Sequence, residues 1–402
     1  MSVNDIVLLF TGGAVGVAMD RLWDPLRAKY TQVRVAIARV HRKRVDNNKQ
    51  ATRELGEFYQ KKITVLTPYR ATESGREFVL PILSGQDWIS VSQLDATSEA
   101  LIKFDPSAKS RFETLRTRST KRLALRGARI YEGQICYVSE YNPTGRPTWT
   151  VGVCSYAAYA SFLLELEAKG LSKSYVTRSR RRLFSDPLAT ISEGVRPVAV
   201  GATVALVDGH SRPYSVLLQR RSSEVIVDAG KLSFVPVFGL EPNATSARRS
   251  HLGLLQYNVV REFGEELFDL PELIELSRSG RINPDWIRTI EPISNLENSW
   301  QSGDVDFYTL GTGIDLLNPS LHIVIAGVSR NPEGWLSLLA EASGNWEIAG
   351  ARVGSPSLLS VELESAELAK YVNENQLSST SVFAYDLLRK WAQAGTQLVL
   401  QP

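Results

Sequence analysis

The hydrophobic and polar positions of this chain fall into short alternating or wholly apolar blocks, which predict strands, and a few runs at helical spacing. Residues 62–68, 77–83, 88–91, 134–138 and 149–153 carry β-branched and aromatic residues in strand patterns, and 157–168 reads as a helix. Further on, 198–207 is a buried-strand pattern, and the turn signal Asp208-Gly209-His210-Ser211 follows it. A second strand is predicted over 215–222. Residues 254–267 are apolar at helical spacing and then strongly acidic, so they predict one helix with Gly264 as its weak position. A strand is expected over 304–310, and helices over 360–373 and 381–394.

The N-terminus follows a different pattern. Residues 6–19 contain no charge, but fourteen residues fall short of the roughly twenty that span a bilayer as a helix. Positions 21–44 then hold eight Lys or Arg against a single acid, Asp24. That asymmetry predicts a short anchor whose following segment is cytoplasmic. Gly12 and Gly16 have the spacing that lets membrane helices approach closely. The competing reading is a buried or amphipathic helix that makes a homo-oligomer, or one lying in the interface on anionic lipid. No Lys or Arg precedes the apolar run, which argues against a secretory signal.

At 402 residues the chain exceeds one ordinary core. Three regions are expected: an apolar segment and basic helical stalk (1–62), an α+β domain (63–190) and a C-terminal domain (191–402). With 43% hydrophobic and 22% charged residues, the composition is that of a globular protein. Two cysteines, Cys136 and Cys154, make neither a disulfide framework nor a zinc pattern and are expected to be buried thiols. The four histidines are scattered and expected to be structural or at the surface.

The net charge of +3 points to no partner, but its distribution is uneven. Lys109, Arg111, Arg116, Arg118, Lys121, Arg122, Arg126 and Arg129 form one basic cluster, and Arg178, Arg180, Arg181 and Arg182 form another. These suit either a solvated face or a phosphate-bearing partner. Aromatic residues are not interleaved with them, so a nucleic-acid platform is not expected.

The chemistry concentrates in Arg261-Glu262-Phe263-Gly264-Glu265-Glu266. On a regular helix, Glu262, Glu265 and Glu266 share a face, where three like charges repel unless a cation offsets them. A hard divalent ion bound through carboxylate oxygens would do so. The stretch resembles the second half of the Nudix box, the metal-binding signature of Nudix hydrolases. The match departs at Phe268, where the box has glycine, and at Asp269, where it has an apolar residue. The first half is absent in register, where Ala247 and Gly253 stand in place of its glycine and glutamate. Gly239 lies eight positions before that register and fits the glycine that opens the box, with an insertion between 243 and 252. The order strand, turn, strand, proline-containing loop and acidic helix matches the opening of a Nudix domain. Asn345-Trp346-Glu347 resembles its late tryptophan segment.

The resemblance implies an α+β fold. Its C-terminal part would be a Nudix-like α/β/α sandwich with a mixed sheet, preceded by a helical segment and a smaller α+β domain. It implies Mg²⁺ or Mn²⁺ held by Glu262, Glu265 and Glu266, with Arg261 orienting a carboxylate and Gly239 letting backbone approach the site. The metal would neutralise phosphate oxygens and activate water for hydrolysis of a nucleoside diphosphate derivative. The general base is not assigned; Glu291 and Glu297 are candidates. The degenerate box supports an alternative, a non-catalytic nucleotide sensor that signals to the N-terminal region. A ligand-free scaffold at the membrane is a third reading. The expected location is the cytoplasm, at the membrane face if residues 6–19 anchor it.

Overall fold

The computed structural model describes residues 66–94, 102–109, 133–142, 147–168, 187–193, 198–210, 213–222, 225, 227–228, 230–242, 253–270, 288–342, 344 and 358–394. The apolar run 6–19, the basic stalk, the basic clusters apart from Lys109, the insertion at 243–252 and the 345–347 segment lie outside these residues.

Among the described residues, thirteen strands join in one mixed sheet. They are β1 (Thr67–Glu73), β2 (Arg76–Ser84), β3 (Ser92–Gln93), β4 (Ile102–Lys109), β5 (Gln134–Asn142), β6 (Thr148–Ser155), β7 (Ala199–Asp208), β8 (Ser215–Arg220), β9 (Leu232–Phe234), β10 (Val237–Gly239), β11 (Val305–Asp315), β12 (Ser320–Ser329) and β13 (Leu358–Glu362). The main path runs β1-β2-β11-β12-β7-β5-β6-β4. β7 and β12 pair in parallel at its centre, with Ala199 opposite Ser320 and Asp208 opposite Ser329. Every residue of β12 and nearly every residue of β7 is buried, as their apolar composition requires of strands covered on both faces.

The helices are α1 (Tyr156–Ala168), α2 (Pro187–Glu193), α3 (Leu254–Glu262), α4 (Ile293–Ser302), α5 (Pro332–Glu341), α6 (Ala366–Asn373) and α7 (Ser379–Gln393). Alternation along β7 and β12 sends Val204, Leu206, Ile323 and Ile325 into one core with α3, α4 and Trp335 of α5. Ala205, Val207, Val324 and Ala326 go to the opposite core with α6 and α7. α5, α6 and α7 start at side-chain caps. Asn331 accepts from Glu333 N at 3.0 Å with Pro332 at the first turn of α5. Ser365 and Ser378 accept from Leu368 N and Ser381 N at the starts of α6 and α7. Gly303 ends α4 with φ of 82°, a left-handed position that favours glycine.

The mixed α+β class is therefore observed. The expected boundary near residue 190 does not divide the sheet. β5 joins β7 through Tyr137 and Ala199, and Cys136 N donates to Leu240 O at 2.6 Å. β2 joins β11 through Leu83 and Ile314. Strands from both sides of that boundary thus share one hydrogen-bonded ladder.

Two elements differ from their expected form. The strand expected over 88–91 is a 3-10 turn at Gln86–Trp88 followed by β3. Trp88 is drawn inward onto Trp149, rings 4.9 Å apart and edge to face, and this burial outweighs the local strand preference. The helix expected over 360–373 begins only at Ala366. The residues before it form β13, because β8 offers a ladder on which Leu359 lies opposite Leu218. Among the described residues, no helix is long and apolar enough to cross a membrane.

Candidate functional site: the acidic helix and the adjoining cleft

The acidic segment is not one regular helix. α3 ends at Glu262, and Phe263–Leu267 continues as a π-turn in which Phe268 N donates to Phe263 O at 3.2 Å. The wider turn breaks the periodicity on which a shared glutamate face depends. Its apolar residues explain the break: Phe263 and Leu267 are both fully buried in the core beneath.

The four residues of the motif are brought together and buried, but their side chains divide into two groups. Arg261 sits among carboxylates: Nη1 donates to Glu265 Oε2 at 2.5 Å and lies 3.5 Å from Glu241 Oε1, and Nη2 donates to Glu262 Oε1. Glu266, only 1% exposed, turns instead toward the sheet. Its Oε2 accepts from Val237 N at 3.0 Å and from Gln219 Nε2 at 3.3 Å. The expectation that all three glutamates point the same way is corrected here: Glu262 and Glu265 serve Arg261, and Glu266 ties the helix to β8 and β10.

Three residues of this network escaped the motif. Asn258 is fully buried and accepts from Glu241 N at 2.8 Å and from Arg261 Nη2 at 3.3 Å. Its Nδ2 donates to Leu254 O and Glu241 O, so one amide side chain stitches the loop after β10 to α3. A buried asparagine one turn before the arginine, inside an apolar face, is the signal that could have flagged it. Glu241 and Gln219 carry no such signal, because they reach the cluster only through the fold.

Gly239 lies in β10, opposite Gly201 of β7. A Cβ there would meet Ile135 Cδ1 at 2.7 Å, so its bareness makes room for Ile135 of β5. The Glu297 carboxylate accepts from Arg288 Nε at 2.5 Å, and Glu291 is exposed two residues before α4.

A Mg²⁺ ion takes near-octahedral oxygen ligands at close range. Among the described residues, no three His, Cys, Asp or Glu side chains are arranged to share such an ion. Where two of the expected ligands converge, the guanidinium of Arg261 stands between them. As folded, the donor set fits that cation rather than a dication.

Beside the acidic segment lies a cleft of about 710 Å³, counting its open mouth. It is bounded by α4, α5, Phe263 and Phe268 of the π-turn, and the ends of β7 and β12. Glu262, Glu265 and Glu266 do not line it. Two further kinds of titratable group are buried away from the cleft lining. His322 is fully buried with Nε2 2.6 Å from Thr203 Oγ1, and desolvation lowers its pKa to about 3. Cys136 and Cys154 are buried free thiols, as expected, and burial pushes the Cys154 pKa up to about 12.

No family model and no curated protein matches the chain.

Proposed function

We propose that residues 191–402 carry the Nudix-like part of an α/β/α sandwich whose sheet also takes strands from before residue 190, and that this part binds a nucleotide-derived small molecule without hydrolysing it. On this reading the domain signals to the N-terminal region, whose residues 6–19 hold the chain to the cytoplasmic face of a membrane. The Nudix resemblance rests on Arg261, Glu262, Glu265 and Glu266 and on the order of elements around them. One observation favours sensing over catalysis: the carboxylates of all three glutamates already hold hydrogen-bond partners inside the fold. Each charge-assisted hydrogen bond of that kind would have to be given up before the oxygen could serve a metal ion. The test is a calorimetric titration of the full-length protein with a panel of nucleoside diphosphate derivatives and Mg²⁺ or Mn²⁺, with products assayed in the same samples. Binding heat without product supports the reading; metal-dependent cleavage overturns it.

A second reading, a Mg²⁺-dependent pyrophosphohydrolase, is favoured by the convergence of Glu241, Glu262 and Glu265 on a single guanidinium. It requires Arg261 to swing away and release them. On that reading Glu265→Gln abolishes metal-dependent turnover while the thermal melt keeps its cooperativity.

A further inference from the structure

We infer that the cleft between α4 and α5 seats an uncharged planar heterocycle of the nucleobase or nucleoside class. The inference rests on the nucleotide-binding reading above and locates the ring end of that ligand.

Position is the first argument. The cleft opens where Leu206 of β7 and Gly327 of β12 lie opposite each other, near the carboxyl ends of the parallel pair. In open α/β sheets the crevice outside those ends is where ligands bind, because the chain leaves the sheet there and helices diverge. Here it leaves β12 at Ser329 and enters α5 at Pro332, with two residues between them.

The walls are the second. Trp335, Phe263 and Phe268 offer aromatic surface, and Leu296 and Leu338 complete an apolar slot. The floor is held firmly: Phe263 meets Phe307 edge to face at 5.8 Å, and Trp300 packs on Phe307 at 4.5 Å. Flat apolar walls with a few fixed polar groups are the usual construction of a small-molecule site. Phe268 occupies the position where the Nudix box carries glycine, so the departure that weakens the motif supplies a ring to this slot.

The polar groups are the third. Asn295 and Ser299 lie one helical turn apart on α4 and both line the cleft, with Asp304 at its mouth. An amide, a hydroxyl and a carboxylate match the in-plane donors and acceptors of a nucleobase edge. None of the described residues that line the cleft is Lys or Arg. Phosphate groups therefore find no counter-charge among the described lining residues. Affinity accordingly depends on the ring, and hardly on phosphate number or salt.

The test is calorimetry on the full-length chain with guanosine, adenosine, their 5′-diphosphates and inorganic pyrophosphate. At least one nucleoside is expected to bind within about tenfold of its diphosphate, while pyrophosphate neither binds at this site nor competes. Asn295→Leu removes an exposed amide and is expected to weaken binding about tenfold. Ser299→Trp fills the slot and is expected to abolish binding, with thermal melting reporting the fold of both variants. Failure of both nucleosides to bind overturns the inference, as does wild-type affinity in two folded variants or a diphosphate more than about tenfold tighter than its nucleoside. Nucleotide binding that survives both variants removes the cleft and leaves the sensing reading intact. Nucleoside binding in the cleft together with cleavage of the diphosphate keeps the cleft and removes the sensing reading.

Discussion

The two faces of the sheet bury acidic side chains on different plans. On the α7 side, Glu73 accepts from Tyr385 Oη at 2.6 Å and Arg389 Nη1 at 2.5 Å, and Asp386 accepts from Tyr69 Oη at 2.6 Å and Lys390 Nζ, 2.7 Å away. Each carboxylate has its own tyrosine hydroxyl, and two bases serve the pair, with Arg389 Nη2 also 3.8 Å from Asp386 Oδ1. On the α3 side, Glu241, Glu262 and Glu265 share Arg261. The first plan is a clamp: it fastens β1 to the last helix, and the loss of one member leaves the others partnered. The second concentrates dependence on one residue. Desolvation makes that difference matter, because a charge left alone in the interior costs far more than one left alone in water.

The contrast is broken most directly by Arg261→Met. It unloads several buried carboxylates at once and is expected to cost about 3–5 kcal/mol in urea denaturation. A loss under about 1 kcal/mol would show that the cluster is not organised by this residue.

Acid provides the next separation. His322 lies on β12 on the α7 side, by alternation with Val324 and Ala326. Its folded pKa near 3 lies below the ordinary 6.5, so the folded state binds the proton less readily than the unfolded chain. The stability it contributes is complete above pH 6.5 and is lost as pH falls toward 3. Between pH 7 and pH 4 the loss should be roughly 3 kcal/mol, and His322→Gln should remove that slope in denaturation curves. Asp315 works in the opposite direction. Burial raises its pKa to about 6, so its contribution is present below about pH 4 and lost as pH rises through 6. Comparing wild type with the variant at both pH values isolates the histidine.

The smallest effect tests the clamp. Arg389→Met leaves Glu73 with Tyr385 and with Ser74, whose Oγ donates to Glu73 at 2.8 Å. The expected loss is about 1–2 kcal/mol, clearly below that of Arg261→Met. Equal losses would dissolve the distinction between the two plans.

Much of the fold is legible in the sequence because burial leaves a local pattern. The mostly apolar run at 198–207 is the buried centre of the sheet, and 381–394 is a helix in nearly the expected place. The misreadings have local causes too. Trp88 carries strand-like neighbours, yet it is taken by an aromatic cluster contributed by β5 and β6. Residues 360–365 have helix-compatible composition, yet β8 recruits part of them for its ladder. α4 and α5, which wall the cleft, were not foreseen, since Asn295 and Ser299 mean nothing until the strands beside them are placed.

What the sequence determined by itself is a buried strand, a C-terminal helix and an Arg-Glu-x-x-Glu-Glu segment on helical structure. These depend on neighbours a few positions apart. The tertiary structure alone decided what the glutamates face. Glu266 meets Gln219 across 47 positions and Val237 N across 29, and Tyr69 meets Asp386 across 317. Charge in a low-dielectric interior is governed by distance in space, and that distance is fixed only when the sheet closes beneath the helix.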